Sequence, residues 1–167
     1  WVRARIAPHI TSKTVAIYVN TPNNPTGKVL DEITLKTIAD IARTHDLWIW
    51  SDETYERYAF ARPHQSIGPI APERTFVVRS FSKTYGMAGN RCGTVVGPTD
   101  ASVIRHVQKV STHSFFCSPR AAQIAASRVL AGGEEWVARA REAYREAGCR
   151  AAERLGEPMP EGGTFLF

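Results

Sequence analysis

Hydrophobic and polar positions along the chain follow two rhythms. Val15-Ala16-Ile17-Tyr18-Val19 is a short apolar, β-branched run that predicts a first strand. A dense turn signal, Thr21-Pro22-Asn23-Asn24-Pro25-Thr26-Gly27, follows it. Asp31 then stands where a helix cap belongs. Leu35, Ile38, Ala39 and Ala42 come after it at i, i+3, i+4 and i+7, the spacing of one helix face. Leu47-Trp48-Ile49-Trp50 predicts a second strand, and Arg74 to Arg79 a third.

Strand, helix and strand in this order predict a mostly parallel sheet with right-handed crossovers. A fourth strand is predicted from Arg91 to Gly97, after only about ten loop residues. A parallel crossover needs roughly a dozen residues or more, so this strand is expected to run antiparallel to its neighbour. Helices are predicted at about Ala101 to Val110 and Pro119 to Leu130. A longer helix follows Gly132-Gly133, with Trp136, Ala140, Tyr144, Ala147, Ala151 and Leu155 as its apolar stripe. Gly156 ends it, with Pro158 and Pro160 beyond. Gly162-Gly163 is expected to open a last strand. The predicted fold class is α/β: a mostly parallel sheet with flanking helices and one antiparallel strand.

Composition narrows the partners. The 167 residues are 43% hydrophobic and 22% charged, enough for one domain with a real core. No apolar run approaches the roughly 20 residues that span a bilayer, and no leader is visible, so no membrane partner is expected. The net charge of +5 is spread out. Glu135 with Arg139 and Glu146 with Arg150 stand at i,i+4, as on a solvated helix face. No basic stripe is interleaved with aromatics, so no nucleic-acid partner is expected. Cys92, Cys117 and Cys149 form neither a metal motif nor a disulfide framework; no metal and a reducing, cytoplasmic setting are expected. The start at Trp1 and the ending Phe165-Leu166-Phe167 suggest a segment of a longer protein, cut within a strand.

The candidate chemistry gathers at strand ends. Lys83 lies in the run from Ser80 to Gly93, a small-residue loop after the third strand. An amine leaving a buried strand there is suited to form an imine with a carbonyl group; the other reading is a solvated loop charge. Asn24 follows the first strand and Asp52 the second. Open α/β sheets bind ligands at the carboxyl edge of their strands, which makes one candidate site of the three motifs. Each motif also has a plainer reading. Asn23 to Gly27 makes a tight turn, Asp52 caps a helix, Tyr55 is a core residue with a satisfied hydroxyl, and Arg91 is solvated.

Taken in order, these motifs resemble the class I and II aminotransferases, a family of fold type I pyridoxal-phosphate enzymes. Asn24-Pro25-Thr26-Gly27 is similar to the family's Asn-Pro-Thr-Gly turn. Asp52-Glu53-Thr54-Tyr55 is similar to its Asp-x-x-Tyr element. Ser80-Phe81-Ser82-Lys83, with Arg91 and Gly93 beyond, is similar to its Ser-x-Ser-Lys signature. The resemblance implies pyridoxal 5′-phosphate as cofactor, an amino acid and a 2-oxo acid as substrates, and a homodimer. It implies that Lys83 forms the imine with the cofactor and then moves a proton at the substrate α-carbon. Asp52 pairs with the ring nitrogen, and Asn24 and Tyr55 donate to the ring oxygen. Arg91, Ser80 and Ser82 hold the phosphate.

It also implies that residues 1–132 are part of a cofactor-binding large domain, 133–156 a connecting helix, and 157–167 the start of a small domain. The same core residues serve β-lyases, cyclases or synthases, decarboxylases, deaminases and non-catalytic sensor domains. Asn90 departs from the bulky residue that many relatives carry before the arginine. The stretch Ser111 to Ser118 falls where relatives contact a neighbouring subunit, and its His113 is a further candidate. The family's phosphate loop, ring-stacking aromatic and substrate-binding arginine lie outside these residues. The chain alone is therefore expected to be inactive or nearly so.

Overall fold

The computed structural model describes residues 2–167. Among them, four strands form one sheet in the order β1 (Ala16–Asn20), β2 (Trp48–Asp52), β3 (Thr75–Ser80) and β4 (Gly93–Val96). β1, β2 and β3 are parallel, with Asn20 opposite Asp52 and Asp52 opposite Val78. β4 is antiparallel to β3, as its short connection requires, and Gly93 lies opposite Ser80. The strand starts later than expected because Arg91 has φ 52° and ψ 52°, a left-handed conformation that cannot continue a strand.

One face of the sheet holds the core. Val19 and Ile49 point towards helix α2 (Glu32–Thr44), whose Leu35, Ile38, Ala39 and Ala42 are all buried. Asp31 caps α2 by accepting from the Thr34 amide at 2.8 Å. Helix α1 (Val2–Ile6), which periodicity did not reveal, adds Val2 and Ile6 to the edge of this cluster. The opposite face carries Tyr18, Trp48, Trp50 and Val95, all exposed. Phe76 lies against both tryptophans there, at ring-centroid distances of 5.6 and 5.5 Å. The continuous apolar runs predict strands covered on both faces, but the chain's own core covers one.

Helix α3 (Phe81–Thr84) replaces the expected loop after β3: Ser80 Oγ accepts from the Ser82 amide at 3.1 Å and caps this one turn. Helices α4 (Ala101–Ser114), α5 (Arg120–Gly132) and α6 (Glu134–Leu155) follow. Gly156, at φ 69°, ends α6 in the left-handed conformation expected of a glycine stop. The buried stripe of α6 is rotated by one position from the expected one. Val137 and Ala152 are buried, while Trp136, Tyr144 and Leu155 are exposed. The reason is that polar and small residues share the inner face. Arg141 donates to the Ala59 carbonyl at 2.7 Å, and a side chain at Gly148 would meet Met159 at 3.2 Å.

The expected last strand is absent among the described residues; Gly162 makes an isolated bridge with Ala59. Glu161, just before it, is held by its polar groups. Its carbonyl accepts from the Phe60 and Ala61 amides, and its carboxylate from the Val29 amide and Lys28. The tail thus threads against the Asn24-to-Gly27 turn, where a side chain at Gly27 would meet Pro160 at 2.7 Å.

A buried carboxylate joins β2 to β3. Glu53 is fully buried, accepting from Ser66 Oγ at 2.7 Å, Ser51 Oγ at 3.1 Å and Arg79 Nη2 at 3.0 Å. His64 Nε2 is 3.3 Å away. Burial by itself raises the Glu53 carboxyl. The His64 and Ser66 contacts and the charges of His64 and Arg79 outweigh burial and hold it below its ordinary value. A lowered carboxyl contributes stability above the unfolded value, about 4.3, and loses it as pH falls through the folded one. Glu53→Gln is expected to lower the unfolding free energy by about 3 kcal/mol at neutral pH. Denaturant titrations of both proteins should show that difference shrinking below about pH 4. Ile49→Ala, at a fully buried position of the central strand, is expected to lose about 3 kcal/mol at any pH.

Candidate active site

Parallel strands deliver their carboxyl ends to one edge, and the antiparallel β4 begins at that same edge. Asn24, Asp52, the Ser80-to-Lys83 turn and Arg91 are therefore placed along that edge by topology alone. Asp52 is the last residue of β2 and is held from several sides. Its Oδ1 accepts from the Thr54 amide at 3.0 Å, and its Oδ2 accepts from the Tyr18 hydroxyl at 3.1 Å. Its carbonyl accepts from the Thr21 amide at 3.2 Å and from Asn20 Nδ2 at 3.1 Å. Asn20 Oδ1 accepts in turn from the Asn24 amide at 2.7 Å. One side chain thus clamps the Asn24 turn to the backbone of Asp52, and Asn24 itself is exposed.

Tyr55 is buried and meets Phe165 edge to face, with ring centroids 5.3 Å apart. Burial raises its hydroxyl above the ordinary value; Thr164 partly offsets this, and the Asp52 charge adds to it. The phenol therefore stays protonated and able to donate at neutral pH.

Lys83 is the third residue of α3, where a loop was expected, and it is exposed. Its carbonyl accepts from the Tyr58 hydroxyl at 2.9 Å. Burial and the neighbouring Tyr144 push that hydroxyl up to about 12. Ser80, Ser82 and Arg91 line one depression of about 510 Å³, together with Cys92, Phe115 and Pro119. Arg91 Nη1 donates to the Ala88 carbonyl at 3.1 Å, which leaves most of its fork facing outward. A non-glycine residue in the left-handed region is a strained feature of the kind found at ligand sites.

His113 does not join this set: its Nδ1 contacts the Lys109 carbonyl of its own helix at 2.7 Å, and the residue is exposed. Glu53, Glu56 and His64 bring metal-ligating atoms within 4.8 Å of one another. Arg79 pairs with both carboxylates, at 3.0 and 2.9 Å, and supplies the compensating charge. The sequence reading passed over Asn20, Tyr18 and Tyr58. Asn20 had a local signal, a strand-end asparagine four residues before Asn24. Tyr18 and Tyr58 had none, since their partners are 34 and 25 residues away.

The chain matches the family model for aminotransferase class I and II over residues 4–161. It is 39% identical over 145 residues to a probable aspartate/prephenate aminotransferase of Thermus aquaticus, covering 85% of this chain and 37% of that protein. It is 38% identical over 167 residues to an aspartate aminotransferase of Pyrococcus horikoshii, covering 95% of this chain and 42% of that protein. The structure of an aromatic aminotransferase from Pyrococcus horikoshii superposes with a TM-score of 0.89 at 34% identity, covering 96% of this chain and 45% of the other. The chain thus spans about two fifths of the length of the curated relatives it matches. With the family model reaching almost from end to end and the sheet superposing on solved relatives, this chain belongs to the class I and II aminotransferases.

Proposed function

We propose that the protein is a pyridoxal-phosphate-dependent aminotransferase that moves an amino group between an amino acid and a 2-oxo acid. The observation that carries this reading is the convergence of Asp52, Lys83 and Arg91 on one sheet edge, through β2, α3 and the turn before β4. The family uses pyridoxal 5′-phosphate, and the groups on this edge suit it. Ser80, Ser82 and Arg91 line one depression and form a hydroxyl and guanidinium set for a phosphate. Asp52 is a carboxylate with both oxygens already oriented, as a protonated ring nitrogen requires. The cofactor supplies an aldehyde that condenses with amines and a ring that withdraws electrons from the substrate α-carbon.

The chain's own residues do the rest. Lys83 Nζ would hold the cofactor through its aldehyde, and the amine would carry a proton to and from the substrate α-carbon. Asp52 would pair with the ring nitrogen and hold a proton there. Asn24 and Tyr55 donate to the ring oxygen, and the raised Tyr55 hydroxyl supports that role. Tyr58 holds the backbone of Lys83 and so fixes where its side chain starts.

A homodimer is supported by Phe115 and Phe116, both exposed in the stretch where the family's subunits meet. A cytoplasmic setting is supported by three free thiols, and no helix among the described residues is long and apolar enough to cross a membrane. A large domain to residue 132, a connecting helix at 133–156 and a small domain from 157 follow the family's plan.

Borohydride reduction of the naturally encoded protein with pyridoxal phosphate, then digestion, should find the label on Lys83; a label on another lysine overturns the assignment. Asp52→Asn and Arg91→Gln should each weaken cofactor binding roughly ten- to hundredfold in absorbance titrations, the worth of a hydrogen bond to a charged group. Half-reactions should then interconvert the aldehyde and amine forms of the cofactor when amino acid and 2-oxo acid are added in turn.

A further inference from the structure

Tyr18 has no task in the reaction as described, yet it makes a direct contact with Asp52. It sits in the middle of β1, opposite Trp50, and shares a sheet face with Asn20 and Asp52. Its hydroxyl donates to Asp52 Oδ2 at 3.1 Å, while the Thr54 amide serves Oδ1 at 3.0 Å. The Asp52 backbone is pinned independently by Thr21 and Asn20. With the backbone and Oδ1 already held, the Tyr18 bond is what fixes the outward oxygen.

A carboxylate has about four lone-pair sites, so Oδ2 can still accept a second donor. Burial, the Asp52 charge and the bond itself raise the Tyr18 hydroxyl above its ordinary value, so it stays a donor at neutral pH. The side chain is also 63% exposed and lies on the uncovered face of the sheet. Tyr18→Phe keeps the ring and removes a single oxygen, so it tests the hydroxyl with little change of packing.

We propose that Tyr18 is a positioning residue: its hydroxyl orients the Asp52 carboxylate and sets how firmly Asp52 holds the proton of the cofactor's ring nitrogen. The inference rests on the reading of Asp52 as the ring-nitrogen partner. It adds a second contact behind that residue, supplied by the neighbouring strand.

The test is a double-mutant cycle in the naturally encoded protein, with pyridoxal phosphate as the probe. Tyr18→Phe should weaken cofactor binding about tenfold, near the lower end for a hydrogen bond to a charged group. The midpoint of the cofactor's visible pH titration should rise by about half a unit or more, because a less firmly protonated ring withdraws fewer electrons and leaves the Lys83 nitrogen bonded to it more basic. The cofactor-free melting temperature should stay within about 2 °C, because the substitution keeps the ring and removes one hydroxyl. In an Asp52→Ala background, Tyr18→Phe should change neither binding nor midpoint further. Wild-type binding and midpoint in Tyr18→Phe overturn the inference, as does an equal loss in the Asp52→Ala background. If Asp52→Ala itself leaves binding unchanged, the reading of Asp52 fails, and the role of Tyr18 falls with it.

Discussion

Two carboxylates stand side by side at the end of β2, and their separation organises the rest. Strand alternation sends Asp52 to the open face and Glu53 to the core. A fully buried carboxylate is tolerated only when it is paired and hydrogen-bonded. Arg79 of β3, Ser51 and Ser66 meet that demand, and Arg79 also reaches Glu56, the first residue of the 3-10 turn that carries Tyr58. Tyr58 then holds the carbonyl of Lys83. The compensation of one buried charge thus ties together β2, β3, the turn after β2 and the start of α3. Those are the elements that carry Asp52 and Lys83.

The site is assembled from short pieces whose positions depend on the sheet. Ser80 ends β3 and caps a single helical turn, so Lys83 is aimed by the strand direction. Arg91 reaches the same edge only because β4 turns back antiparallel. Asn20 locks the Asn24 turn to the Asp52 carbonyl, and the tail from Pro160 to Gly162 packs where Gly27 leaves no room for a side chain. Each attachment is local, but all share the parallel register of β1 and β2.

Much of this was legible in the sequence where the signal was periodic or short-range. The α2 face, the Asp31 cap, the Gly156 stop and the antiparallel β4 follow from spacing, capping chemistry and connection length. The α6 stripe did not, because hydropathy gives no credit to Arg141 or Gly148, and these share its inner face. The last strand did not, because a strand needs a partner, and among the described residues the segment pairs only through the single bridge between Gly162 and Ala59. The run around Lys83 reads as a loop from its small residues, yet the Ser80 cap winds it into a one-turn helix that holds Lys83 at the surface.

The sequence by itself determined the elements, their order and the identity of the reactive groups, because each is written in local spacing and residue chemistry. The Asn24, Asp52–Tyr55 and Ser80–Lys83 motifs were enough to point to the family. Only the tertiary structure decided which groups hold which. Tyr18 behind Asp52, Tyr58 behind Lys83 and Arg79 against Glu53 are contacts between residues 25 to 34 positions apart. Parallel register and backbone path set such contacts, and neither quantity is encoded in any one stretch of the chain.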